Sequence, residues 1–352
     1  MNATFERNAV LISLLACAAA GSASAAPFSV EGPVGSIKLA TTAAATPTDP
    51  VGTITCNGVE INITGQTRIT SPTTTLSMKQ LANKATILGA RNPEGFIGGT
   101  CIIDGDDGGA AGPKVAQTVF VEIAENVLVG AASAPLAGYN FAIMGVQVKR
   151  LTSGDTQGRI VAPLARNAYG FEINLGSVNA GDASSAEGHL GWDAANPNVP
   201  VLYAHTIETS GGRPRADSPE MLANVAIQRA DITGAGTQFK VEVRGGCLIL
   251  ASNATRQVKI EVPDGETAPG VTRWVQVRNA KDGGATAPCV RDPAATNGNF
   301  GTYRLRNDNF RLTFSSGAPQ KVRASLVDAN GVAVVKDSSG NTLYAEADPV
   351  VR

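Results

Sequence analysis

Apolar and polar side chains alternate with a period of two along most of the chain, the pattern of half-buried β-strands. Ile54 and Cys56 alternate with Thr53 and Thr55, and Val59, Ile61 and Ile63 alternate with Glu60 and Asn62. Asn57-Gly58 stands between these runs, and a type I′ turn needs φ > 0 at both central residues, which Asn-Gly tolerates best. The stretch 51–63 therefore predicts a β-hairpin. The same grammar recurs at Val119/Val121/Ile123, Phe171/Ile173/Leu175, 199–207, 225–232, Phe239/Val241/Val243, Val258/Ile260/Val262, Val275/Val277, Tyr303/Leu305, Phe310/Leu312/Phe314 and Val322/Ala324/Leu326. Asp328-Ala329-Asn330-Gly331 predicts a further turn.

Only two places carry helical signals. Ser77-Met78-Lys79-Gln80 has capping-box spacing and predicts a short helix over 76–84. Ser218-Pro219-Glu220 offers an N-cap followed by Pro at the first helical position, enough for about one turn. The pattern predicts an all-β chain: two small OB-like β-barrel units, 51–149 and 150–245, followed by an immunoglobulin-like β-sandwich over 246–352 with a core for Trp274. Residues 26–50 lack periodicity and are expected to be a flexible lead-in or one edge strand at 28–30. The two barrel units share a long middle insertion with one helical signal each, as diverged copies would.

Composition narrows the partners. The 352 residues are 17% charged, with 29 basic and 30 acidic side chains and a formal net charge of −1. That balance gives no general electrostatic case for nucleic acid, and it leaves little repulsion between copies of the chain. Residues 1–25 read as a signal peptide: Arg7, an apolar run over 9–20, and Ala23-Ser24-Ala25 as a cleavage site. Secretion to the cell surface is the expected location. Lipidation at Cys17, within the imperfect lipobox Leu14-Leu15-Ala16-Cys17, is the alternative anchor. Beyond the signal stand Cys56, Cys101, Cys247 and Cys289, which in an exported chain read as two disulfides. Three pairings are open; proximity favours Cys56–Cys101 and Cys247–Cys289.

Candidate chemistry is sparse. Asp104, Asp106 and Asp107 sit in an Asp/Gly loop that could gather carboxylates around calcium as a cofactor. His189 and His205 are the chain's two histidines, with Glu187 and Asp193 nearby; a metal or catalytic site needs them convergent, and ordinary strand histidines are the simpler expectation. Arg273, Arg278, Arg304, Arg306 and Arg311, with Trp274 and Tyr303, could dock an anionic outer-membrane glycan. No nucleophile elbow, Walker loop or dinucleotide-binding glycine motif occurs in the sequence.

Val51-Gly52-Thr53-Ile54, the stretch 61–65, Thr75-Leu76-Ser77-Met78-Lys79-Gln80-Leu81 and Glu125-Asn126-Val127-Leu128-Val129-Gly130 resemble a family of uncharacterised small barrel domains in exported Gram-negative proteins. Ala186-Glu187-Gly188-His189-Leu190 with Tyr203-Ala204-His205 resembles a second copy. The whole-chain organisation is similar to surface-layer and nanopod-type outer-surface proteins. That resemblance implies a structural role and carries over no catalytic residue. The expected function is thus a non-catalytic secreted protein that self-assembles on the outer surface of a bacterium. A carbohydrate- or ligand-binding adhesin module is the alternative.

Overall fold

The computed structural model describes residues 26–87, 94–109, 112–124, 126–151, 155, 157–161, 165–193, 196, 198–235, 238–249, 256–278, 284, 286–293, 300–307, 312–313 and 318–351. Residues 1–25, with the expected signal peptide and Cys17, lie outside them. The protein is nearly all β, and among the described residues no helix is long and apolar enough to cross a membrane.

The first unit is built from β1 (Pro27–Leu39), β2 (Pro50–Cys56), β3 (Val59–Thr64), β4 (Arg68–Ser71), β5 (Thr74–Leu76), α1 (Met78–Leu81), β6 (Thr100–Asp106) and β7 (Val115–Glu122). The order β3-β2-β1-β6-β7 closes on itself where Asn62 of β3 meets Val115 of β7 in parallel. This ring of five strands, with its helix between the third and fourth, has OB-type connectivity. The β2–β3 hairpin turns as its sequence requires, with Asn57 at φ 49° and Gly58 at φ 80°. Ser77 caps α1, accepting from Gln80 N while the Gln80 side chain accepts from Ser77 N. The helix is shorter than the expected 76–84. The lead-in expectation for 26–50 is corrected more deeply. Residues 27–39 form the central strand that joins β2 to β6, because Val34 and Ile37 are buried in the barrel core.

The second unit comprises β8 (Asn126–Ala131), β9 (Phe141–Ile143), β10 (Val146–Arg150), β11 (Ala165–Asn167), β12 (Ile173–Asn174), β13 (Ala183–Trp192) and β14 (Pro200–Thr209). Its order is β8-β13-β14-β10-β9, and a bridge between Ala132 and Ile143 brings β9 back beside β8. The parallel pair β10–β14 corresponds to β3–β7, and β11 runs parallel to β14 as β4 does to β7. The second ring therefore repeats the path of the first. Its limits differ from the expected 150–245: strands expected to finish the first unit open the second. Phe171 to Leu175 does not continue as one strand either, since Asn174 accepts from Gly176 N and a 3₁₀ turn follows at Leu175–Ser177.

After β15 (Arg213–Pro214), paired with β12, comes α2 (Pro219–Ala223), capped by Ser218 and ended by Asn224 in the left-handed region at φ 58°. The third unit then begins at residue 225, earlier than the expected 246. One sheet has the order β21-β22-β17-β16-β26, with β23 also on β17; the other has β19-β18-β24-β25, with β20 on β18. These are β16 (Val225–Ala235), β17 (Gln238–Leu248), β18 (Gln257–Ala268), β19 (Val271–Gln276), β20 (Ala287–Pro288), β21 (Val290–Arg291), β22 (Phe300–Arg306), β23 (Leu312–Thr313), β24 (Val322–Val327), β25 (Ala345–Ala347) and β26 (Val350–Val351). Taking β16 as strand A, the sheets follow the ABED and C′CFG arrangement of an immunoglobulin-like sandwich. They share one core, from Ile232, Val243 and Leu305 to Ile260, Val262 and Ala324. Trp274 is not in that core. It is half-buried in β19, with the Arg323 guanidinium 4.0 Å from its ring centroid.

Both disulfides have the pairing that proximity favours, Cys56–Cys101 and Cys247–Cys289, with Cα–Cα distances of 6.0 and 6.2 Å. The first ties the end of β2 to the start of β6.

The units interlock. Leu151, Ile160, Val201 and Tyr203 come from the second unit yet belong to the core cluster of the first. Arg159 is fully buried and reaches Asn83 O at 2.7 Å while pairing with Asp155. The second unit meets the sandwich through Phe171, Ala226, Leu248 and Phe300, with Tyr169 stacked on Phe300 at 4.8 Å.

Candidate functional site at the barrel seam

On β14, alternation sends Leu202 and Ala204 into the second barrel and Val201 and Tyr203 out of it, into the core of the first. That rhythm breaks at a bulge. Glu187 pairs with Thr206 and Gly188 with Ala204, so His205 is the extra residue. Gly188 is needed there, because a Cβ would lie 2.0 Å from Tyr203 O. The first barrel carries the same device. Asp104 pairs with Thr118 and Gly105 with Ala116, which leaves Gln117 as the extra residue, and a Cβ at Gly105 would lie 2.1 Å from Val115 O. Val115-Ala116-Gln117-Thr118-Val119 and Tyr203-Ala204-His205-Thr206-Ile207 thus occupy equivalent places in the two rings.

The copies differ in what surrounds the bulge. Gln117 is exposed and donates to Asp106 Oδ2 at 2.8 Å. His205 is turned toward the first barrel and buried, 7% exposed, facing Glu122 at the last position of β7, 4% exposed. Glu122, Glu187 and His205 each bring one ligand-capable atom within 4.8 Å of the other two. His205 Nε2 and Glu122 Oε2 are 3.7 Å apart, and neither has a hydrogen-bond partner among the described residues. The other ring nitrogen is engaged: His205 Nδ1 lies 3.0 Å from Thr206 Oγ1. Two carboxylates and an imidazole at this spacing can share a proton or hold a cation.

His189 does not join this cluster. It is buried and stacks on Tyr203, ring centroids 5.6 Å apart. Asp193 accepts a short hydrogen bond from Tyr139 OH, which together with burial raises the Tyr139 hydroxyl above its usual range.

Asp104, Asp106 and Asp107 are not brought to a common point. Asp104 Oδ2 accepts from Thr118 Oγ1 at 3.3 Å and Asp106 from Gln117, while Asp107 Oδ1 accepts from Ala26 N at 2.7 Å and Gly109 N at 2.9 Å. Those two backbone bonds hold the Asp107 carboxyl below its usual range. The first two residues sit on one face of β6 and the third beyond its end, because a strand keeps successive positions apart where a calcium loop would coil.

The arginine cluster is also divided. Arg273 lies on β19, paired with Asp264, whereas Arg304 and Arg306 lie on β22 of the opposite sheet and share Glu242. Arg278 is exposed, and Arg311 falls outside the described residues. Tyr303 is buried beneath its sheet and donates to Ala226 O at 3.0 Å.

The described residues form surface depressions, of which two are well defined. One of about 450 Å³ lies between the second barrel and the sandwich, beside Arg244 and Tyr303. The other, of about 580 Å³, runs over the outer face of β4, β6 and β7, lined by Arg68, Thr70, Thr118, Phe120 and Asp348.

No known family model matches the chain, and neither a curated protein nor a solved structure does. Of the seam site, the sequence points to His205 and Glu187 but not to Glu122. Its place in an alternating strand reads as a solvent-facing position, and nothing local reveals that a second barrel covers it.

Proposed function

We propose that this protein is a non-catalytic, secreted structural subunit that assembles with copies of itself at a bacterial cell surface. The observation that carries the reading is an apolar strip on the second barrel. Val127 and Val129, on the outward face of β8, are 53% and 66% exposed, and Met144 in the adjoining β9–β10 turn is 77% exposed. Apolar side chains grouped on a sheet face favour association when a partner covers them. A near-zero net charge puts little repulsion between identical copies. Two disulfides and interlocked units suit a rigid part exposed to an oxidising exterior.

Light scattering on the purified mature chain, with negative-stain electron microscopy, tests this. Lattices, tubes or fibres are expected, and V129K together with M144K should reduce them to monomers. A monodisperse monomer at all concentrations would overturn the reading. A second reading, a ligand-binding module, is favoured by the groove over β4, β6 and β7, where threonine hydroxyls flank Phe120 in the manner of a sugar-binding surface. A glycan array with Phe120→Ala as control separates the two.

A further inference from the structure

We infer that Glu122, Glu187 and His205 form a divalent-metal site that pins the two barrels together, with zinc as the fitting ion. The inference does not depend on self-assembly. Three observations lead to it. The ligand-capable atoms converge within 4.8 Å from three different strands, one of them in the other barrel. Within this cluster His205 Nε2 and Glu122 Oε2 are buried and without a hydrogen-bond partner among the described residues. A buried polar atom left so is costly, and each one calls for an explanation. Their 3.7 Å separation is too long for a hydrogen bond. It is close to the gap of about 3.4 Å between two ligands that each lie about 2.0–2.1 Å from a tetrahedral zinc.

The geometry also selects the kind of ion. An imidazole ligand favours zinc and its transition-metal neighbours over calcium and magnesium, which take oxygen. His205 Nδ1 is occupied by the Thr206 hydroxyl, which orients the ring and leaves Nε2 to face Glu122. His205 shares the parity of Val201 and Tyr203, which face the first barrel, and the extra residue at the bulge then returns Ile207 to the core of the second. In the first barrel the equivalent bulge presents Gln117 to solvent, so the site arose in only one copy. The competing account is a protonated His205 paired with Glu122 alone.

The test is metal uptake by the full mature chain. The protein is stripped with chelator, incubated with equimolar Zn²⁺ and desalted, and its metal is measured by plasma mass spectrometry. One zinc per chain is expected, with a higher melting temperature, and Co²⁺ in its place should give the visible bands of a tetrahedral N/O site. His205→Gln and Glu122→Gln should each lower zinc retention at least tenfold, while Asp106→Asn leaves it unchanged. Should the seam variants fail to fold, the wild-type titration decides alone. Wild type that retains no zinc and shows no cobalt bands would overturn the site and leave only an ion pair. Retention unchanged in a folded His205→Gln protein would overturn it equally. Because uptake is read on dispersed chains, failure here leaves the assembly reading untouched, and the reverse also holds.

Discussion

Asp155→Ala should loosen the barrel pair more than any surface change, because of what it strands. Arg159 is fully buried, and the Asp155 side chain is 4% exposed. The guanidinium donates through Nε to Asp155 Oδ2 at 2.5 Å, through Nη2 to Oδ1 at 2.8 Å and through Nη1 to Asn83 O at 2.7 Å. The loop is held further by Ser71 Oγ donating to Arg159 O at 2.9 Å and by Gln80 Nε2 reaching Gly158 O at 3.2 Å. Asp155 Oδ2 also accepts from Arg159 N at 3.0 Å, so removing the carboxylate leaves a full charge and three donors buried without their acceptors, a loss of about 3–5 kcal/mol. At a urea slope of about 2 kcal/mol per molar, the midpoint should fall by roughly 1.5–2.5 M. Replacing both partners with apolar residues, Asp155→Leu with Arg159→Met, should recover most of that loss, because no charge then remains to be desolvated. Urea unfolding followed by Trp192 fluorescence in a Trp274→Phe background reads the barrels.

The pair also sets an acid limit. Burial pushes the Asp155 carboxyl up, and the hydrogen bonds and charge of Arg159 outweigh it, so its pKa ends below the ordinary 3.8. A carboxyl depressed by folding contributes stability above its unfolded pKa and loses it as pH falls through the folded value. Wild type should therefore weaken below about pH 4 in a way the double variant does not. An Asp155→Ala midpoint within about 0.3 M of wild type would refute the reasoning, since that corresponds to an exposed pair.

Two further outcomes follow from the same structure. Reducing Cys56–Cys101 or Cys247–Cys289, which close loops of 45 and 42 residues, should each cost up to about 4 kcal/mol on the chain-entropy model, read as urea midpoints of Cys→Ser pairs. At the seam with the sandwich, burial and the hydrogen bond to Asp292 raise the Tyr169 hydroxyl to about 12. Its protonated form stabilises the fold below the unfolded pKa of about 10, and that contribution disappears as pH rises through about 12. Tyr169→Phe should flatten this alkaline loss in thermal melts and cost roughly 1 kcal/mol at neutral pH.

Local grammar was legible throughout. The Asn57-Gly58 turn, the Ser77 and Ser218 caps and most strand positions follow from side-chain periodicity and backbone preference, which act over a few residues. Unit limits were less so. Residues 27–39 carry little alternation because Pro, Gly and Ser punctuate them, yet they complete the first ring once β2 and β6 lie on either side. Residues 225–248 alternate as strands would in either neighbour, and only the shared core with Ile260 and Val262 assigns them to the sandwich. The seam site shows the same limit. The sequence placed His205 and Glu187 near one another and grouped Asp104, Asp106 and Asp107 by proximity alone; the fold dispersed the second set and brought Glu122 to the first.

By itself, then, the sequence determined that the chain is β, where it turns, and which cysteines were close enough along it to be favoured partners. These are properties of neighbours, fixed by φ preferences and a two-residue period. The tertiary structure alone decided how strands divide among the units, and that a histidine on one barrel meets a glutamate on another. Such contacts join residues far apart in the chain, and they arise from closure of two rings and burial of the surface between them, which no local pattern encodes.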